Sequence, residues 1–218
     1  LLLMGEAGQG KTQGVVDTLN ESGVKWAGIK GSTSAIGLYK FFYEHCDHAV
    51  IVIDDSDAIF ESEEAGNILK AAMDTTPERK ITWSKQNTNL QSMGMPSEYV
   101  MTARVIIITN KDLSVTDGRV TKAQRIMKPV VDRAPMFKTG LPTREWEIEY
   151  LRMMVEEDKI ICFGERGMTT TEQKEIIKFV IDNSDSFRTI SFRLLDKVCG
   201  FYKEMPNAWK DFSLMTLS

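Results

Sequence analysis

Gly5-Glu6-Ala7-Gly8-Gln9-Gly10-Lys11-Thr12 fits the spacing G-x-x-x-x-G-K-[ST]. Glycines at these positions let the backbone curl until its N–H groups point inward. A helix beginning near Lys11 adds the positive end of its dipole, which makes the loop an anion cradle. Lys11 would reach the β- and γ-phosphates of a nucleotide, and the Thr12 hydroxyl would bind Mg²⁺. A metal held in this way needs an acidic anchor, and the stretch "VIVIDDSD" at 50–57 supplies one. Asp54 would hold Mg²⁺, directly or through water, and Asp55 would orient or deprotonate an attacking water. Asp57 reads as a turn or cap residue. The bland alternative for the loop is an ordinary Gly-rich turn; an apolar strand before it and a helix after it favour the cradle.

For cradle and acids to meet, both must lie at one edge of a sheet. The periodicity predicts strands at 1–4, 24–31, 48–54, 79–83, 103–110 and 136–140. Between them it predicts helices at 12–21, 33–46, 62–75 and 119–132, with Ser32 or Thr33 capping the second and Ser62 the third. The run at 48–54 is β-branched throughout, as in a central parallel strand buried on both faces. A polar, Met-bearing insertion at 85–99 reads as a surface loop or as a loop that meets a pore or partner. Strand–helix alternation of this kind implies an α/β fold, a doubly wound parallel sheet that binds ligands at its C-terminal edge. Past Pro142 the pattern turns helical, with amphipathic segments at 143–157, 170–182, 191–204 and 207–217. The expected division is a nucleotide-binding core at 1–141 and a small helical domain at 142–218, hinged at Gly140-Leu141-Pro142.

These features resemble the AAA+ ATPase superfamily of P-loop NTPases over nearly the whole chain. In that family a polar residue ends an apolar strand and positions the lytic water; Asn110, closing "VIIITN" at 105–110, matches it. An arginine just before the last strand reaches a neighbouring subunit's nucleotide, and Arg133 stands at that place. Arg119 and Arg125 are alternatives, as is a plain surface ion pair. "TISFRLLDKV" at 189–198 resembles the lid segment in which an arginine, here Arg193, faces the phosphates; a solvated helix face is the alternative. The pattern from "IKGSTSAIGLYKFF" through "RKITW", with the late Trp209-Lys210-Asp211, resembles AAA-type ATPases common in bacteriophage genomes. The resemblance implies ATP and Mg²⁺ as cofactors. Gly5 to Thr12 and Arg193 would surround the nucleotide, Thr12 and Asp54 the metal, while Asp55, Asn110 and Arg133 would be catalytic. One departure matters: many relatives carry Asp-Glu where this chain has Asp54-Asp55. Aspartate is one methylene shorter, so its water must sit closer and turnover would be slow.

The resemblance also implies self-association into a ring, expected to be hexameric, working as a motor or loader in phage DNA transactions. Lys30, Ser32 and Thr33, with Lys25 nearby, are candidates to touch a DNA backbone in the pore; a plain helix start is the alternative. Two other functions remain open: a protein remodeller, and a weakly hydrolysing, nucleotide-gated assembly module. Composition narrows the setting. The 218 residues carry a formal net charge of −4, so no global footprint for nucleic acid exists. No apolar run approaches the ~20 residues of a membrane helix, and the first residues do not form a signal peptide. A chain opening inside a strand implies residues upstream. Three scattered cysteines, Cys46, Cys162 and Cys199, read as reduced thiols in a cytoplasmic setting, the host's if the source is a phage. His45 and His48 flank Asp47 at a corner and read as a solvated turn, not a metal site. Trp26 and Trp83 read as packing residues.

Overall fold

A computed structural model describes residues 1–76, 78–84, 90, 92–114, 120–140, 143–156 and 161–218. The chain divides into two units, residues 1–7 with 11–139, and residues 8–10 with 140–218.

The first unit is built on a five-stranded parallel sheet. Its strands are β1 (Leu2–Gly5), β2 (Trp26–Lys30), β3 (Val50–Asp54), β6 (Arg104–Thr109) and β7 (Met136–Thr139), in the spatial order β2-β3-β6-β1-β7. Side chains alternate across a strand, so each central strand feeds two cores. Leu2, Met4, Ile51, Ile53, Val105 and Ile107 face one core. Helices α2 (Ala35–Glu44), α3 (Glu63–Ala72) and α4 (Lys122–Val131) cover it with Leu38, Phe42, Leu69, Met127 and Val130. Val52 and Ile108 face the other core with Leu19 of α1 (Lys11–Glu21), and Leu3, Val15 and Trp26 pack around them. Burial on both faces explains the unbroken apolar runs of β3 and β6.

Several local expectations need correction. Ser34, not Ser32 or Thr33, caps α2: its hydroxyl accepts the Gly37 N–H at 3.1 Å. Ser62 caps α3 as its position predicts, accepting from the Ala65 N–H at 3.3 Å. The insertion at 85–99 is not all loop. Residues 85–89 and 91 lie outside the described residues, but Glu98 and Tyr99 open β5 (Glu98–Met101), which pairs antiparallel with β4 (Arg79–Thr82). Tyr99 is buried there, and its hydroxyl donates to the Tyr39 carbonyl at 2.9 Å. Arg79 is buried and donates to the carbonyls of Ala72, Thr102 and Ala103, tying the pair of strands to the end of α3 and the start of β6. Trp83 follows β4 and meets the Tyr39 ring edge-on at 5.6 Å, while the Trp26 indole N–H donates to Asn20 at 3.0 Å. The His45 and His48 rings meet edge-on at 4.6 Å, and Asp47 accepts from His48 at 3.1 Å.

The second unit is helical: α5 (Arg144–Glu156), α6 (Ile161–Glu165), α7 (Thr170–Asp182), α8 (Phe192–Glu204) and α9 (Trp209–Leu217). Its separate core gathers Leu151, Phe163, Ile176, Val180, Leu195, Val198 and Trp209. Five-residue α6 was not expected, being too short to show a helical period. The expected hinge residues Leu141 and Pro142 lie outside the described residues. Among the described residues no helix is long and apolar enough to cross a membrane.

Two helical glycines give opposite expectations. A Cβ on Gly66 of α3 would lie 2.4 Å from the Ile126 Cγ2 of α4, whereas a Cβ on Gly14 of α1 would meet open space. Gly66→Val should therefore lower stability by about 1–3 kcal/mol through overpacking. Gly14→Ala should raise it by about 0.5–1 kcal/mol through helix propensity. Urea unfolding of the two variants checks both signs.

Candidate functional site

In-register pairing delivers the candidate residues to one edge of the first unit. Lys30 is the cross-strand partner of Asp54, Asp54 of Ile108, Met4 of Thr109 and Gly5 of Thr139. The strands run the same way, so Gly5, Asp54 and Asn110 all sit at C-terminal ends. That is the edge where open parallel sheets take ligands. Gly5 is required twice over. It starts the loop, and a Cβ there would lie 2.1 Å from the Thr139 Oγ1 and 2.2 Å from the Thr139 carbonyl oxygen.

Lys11 opens α1 and is buried. Its ammonium donates to the carbonyls of Gly5 at 2.8 Å and Glu6 at 2.6 Å, and to the Asn110 Oδ1 at 2.9 Å. The same Asn110 donates through Nδ2 to the Asp55 Oδ1 at 3.1 Å. One amide thus links the loop lysine to the second acid. Beside it the Thr12 hydroxyl donates to the Asp54 Oδ1 at 3.0 Å. Asp54 is only 4% exposed. Its Oδ2 accepts no hydrogen bond among the described residues, although the Lys30 ammonium stands 3.2 Å away. Asp55 differs in every respect. It is exposed, with φ +49°, a left-handed conformation that aspartate tolerates better than most residues. That turn separates the two carboxylates, one sealed at the strand end and one at the surface.

Three neighbours hold this geometry. The Thr109 hydroxyl donates to Asp57 at 2.8 Å and accepts the Lys111 N–H at 3.0 Å, fixing the backbone on both sides of Asn110. Asp57 opens a 3₁₀ turn, Asp57–Glu61, so it is a turn residue with a cross-strand task. Asp112 accepts from Lys138 of β7 at 2.7 Å and from Ser114.

The donor set suits Mg²⁺. That ion keeps several waters and takes one or two carboxylates together with substrate phosphates, not an all-protein cage. Thr12 and Asp54 offer one hydroxyl and one buried carboxylate with an unbonded oxygen. Among the described residues no group of three or more His, Cys, Asp or Glu side chains is placed to hold a metal alone.

Other candidates lie elsewhere. Glu6 and Ala7 are exposed at the loop. Gly8 and Gly10 have φ of +84° and +74°, which glycine adopts without strain. With Gln9 they belong to the second unit, where the Phe192 N–H donates to the Gly8 carbonyl at 3.3 Å. Arg193 is exposed in the first turn of α8, which Ser191 caps at 3.2 Å. Arg133 follows α4 and precedes β7, at the N-terminal edge of the sheet. Its Nη1 donates to the Pro129 carbonyl at 2.6 Å, and its Nε stands 4.0 Å from Asp74. A strand length of roughly 13 Å separates that edge from the one bearing Asp54. Arg133 therefore cannot serve its own chain's cluster. Arg125 is exposed on α4, and Arg119 lies outside the described residues.

Sequence reasoning missed Lys30 as the partner of Asp54 and Thr109 as the anchor of Asn110. Neither carries a local signal, because both contacts come from strand pairing.

No protein-family model matches the chain. It is 29% identical over 221 residues to an uncharacterized 36.7 kDa protein in the nrdC–mobD intergenic region of Enterobacteria phage T4. That alignment takes in 98% of this chain and 66% of the phage protein, so the chain spans less than two thirds of its relative.

The loop beyond Asn110 has a pH signature. Hydrogen bonds from Lys138 and Ser114 pull the Asp112 carboxyl down to about 2, below the unfolded value near 3.8. A depressed carboxyl stabilises the fold above its unfolded pKa, and that contribution is lost as pH falls through its folded pKa. The window is pH 4 to 2, and the stability involved is small because both partners are half exposed. NMR titration should place the Asp112 midpoint near 2, and Lys138→Met should move it up toward the ordinary carboxylate range.

Proposed function

We propose that the chain binds ATP with Mg²⁺ and hydrolyses it as a AAA+-type P-loop ATPase, working in a ring on phage DNA. The observation that carries the nucleotide reading is the gathering of Lys11, Thr12, Asp54, Asp55 and Asn110 at the C-terminal sheet edge, where Asn110 joins Lys11 to Asp55 and Thr12 bonds Asp54. Each side chain has a task in phosphoryl transfer, which depends on positioning and charge stabilisation.

Lys11, released from the Gly5 and Glu6 carbonyls, would turn its ammonium to the β- and γ-phosphates. The loop N–H groups and the start of α1 would hold the phosphate oxygens. Thr12 and Asp54 would bind Mg²⁺, which when bound neutralises charge on the phosphate oxygens. Asp55, at the surface beside Asn110, would accept a proton from water, and Asn110 would orient that water without competing as a base.

Ring assembly draws support from Arg133. An arginine at the opposite sheet edge can stabilise a transition state only in another copy of the chain. The DNA assignment rests on the resemblance to phage ATPases, with which the phage source of the T4 relative agrees. One observation favours a second reading, a slow nucleotide-gated assembly module. Asp55 is a short carboxylate on a left-handed residue and is already hydrogen-bonded to Asn110.

ATP hydrolysis, measured with and without single-stranded and duplex DNA at concentrations that allow assembly, separates these readings. A motor predicts DNA-stimulated turnover, with Lys11→Ala and Asp55→Asn each reducing kcat by about 100-fold or more. Tight ATP binding with turnover at the Lys11→Ala level would favour the assembly module. Neither binding nor turnover would sink the proposal.

A further inference from the structure

We propose that Lys30 is a built-in counter-ion for Asp54 that competes with the divalent cation for this carboxylate, and so sets how tightly the cation is held. The inference rests on the metal-binding role proposed above for Thr12 and Asp54.

β2 and β3 pair in parallel with Lys30 directly across from Asp54. The register therefore brings the lysine to the carboxylate whatever the neighbouring loop does. The Lys30 ammonium stands 3.2 Å from Oδ2, while Oδ1 takes the Thr12 hydroxyl. The two ends of this ion pair are unlike. The Asp54 side chain is 6% exposed and the Lys30 side chain 68%. Oδ2 makes no hydrogen bond, so the lysine offers charge without an aligned donor.

That combination suits a displaceable partner. A buried carboxylate cannot remain without a counter-charge, whereas an ammonium on a flexible, hydrated stem can leave at little cost. A divalent cation arriving at Oδ2 meets a like charge and must push it away. Removing that charge should tighten the cation's binding. Lys30 is thus a positioning residue for the metal, in place of the DNA-backbone contact expected from the sequence. Its fixed pairing is with a carboxylate on its own chain.

The test uses Mn²⁺ as a paramagnetic probe, with free ion measured by electron paramagnetic resonance on the full chain, with and without ATP. Lys30→Met and Lys30→Gln should each bind Mn²⁺ roughly tenfold more tightly than the unaltered chain. Lys30→Arg, which keeps the charge, should stay near the unaltered value. Adding Asp54→Asn to Lys30→Met should erase the gain, because the effect runs through that carboxylate. Equal affinity in all lysine variants, or weaker binding in Lys30→Met and Lys30→Gln, would overturn the inference. So would the absence of Mn²⁺ binding in every protein, since a competitor needs something to compete with. The arms also separate this inference from the ATPase reading. If ATP strengthens Mn²⁺ binding while Lys30→Met binds Mn²⁺ no more tightly than the unaltered chain, the ATPase reading stands and the Lys30 inference falls. If Lys30→Met tightens Mn²⁺ binding and ATP has no effect, the reverse holds.

Discussion

A carboxylate sealed at the end of a strand buried on both faces is the constraint on which this site depends. Asp54 has nowhere to turn: β3 lies at its back, and its side chain is almost fully removed from water. An uncompensated charge in such a place costs several kcal/mol, roughly 3–5 when a partner is taken away. The surrounding residues answer that cost from two directions. Thr12 donates a hydrogen bond from the first turn of α1, and Lys30 supplies charge from the neighbouring strand. Because the first partner belongs to α1, compensating Asp54 also ties the start of that helix to the acidic strand.

A second link completes the cluster. Asn110 accepts from Lys11 and donates to Asp55, using both faces of one amide. Five side chains from three segments form two hydrogen-bonded groups, Lys11–Asn110–Asp55 and Thr12–Asp54, and all of them belong to the sheet-bearing unit. Their precision comes from the strands. β1, β3 and β6 are adjacent and in register, so a one-residue slip would turn every side chain to the wrong face. The two cores flanking the sheet resist that slip, since Ile51 and Ile53 serve one and Val52 the other.

Local patterns made much of this legible in the sequence. The loop spacing, the β-branched run into Asp54 and the apolar run into Asn110 each announce a strand end with a chemical group on it. What stayed hidden is nonlocal or short. Lys30 looks like a free cation at a strand end until β2 is known to pair with β3. Thr109 looks like one more strand residue until its hydroxyl meets Asp57. The polar insertion at 85–99 takes in the first two residues of the strand at Glu98–Met101, because polar Ser97 and Glu98 dilute its period-2 pattern, although Tyr99 and Met101 face inward. The cap of α2 was misplaced by one or two residues, as expected where Ser32, Thr33 and Ser34 compete for one role.

In the proposed ATPase, Thr12 and Asp54 hold a divalent cation shared with the nucleotide. Isothermal titration of ATP into the full chain, with Mg²⁺ and then with a chelator, tests it most directly, with Asp54→Asn as the comparison. The account predicts that Mg²⁺ strengthens ATP binding to the unaltered chain and that Asp54→Asn loses this dependence while remaining folded. ATP binding that ignores Mg²⁺ in the unaltered chain, or no ATP binding at all, would contradict it.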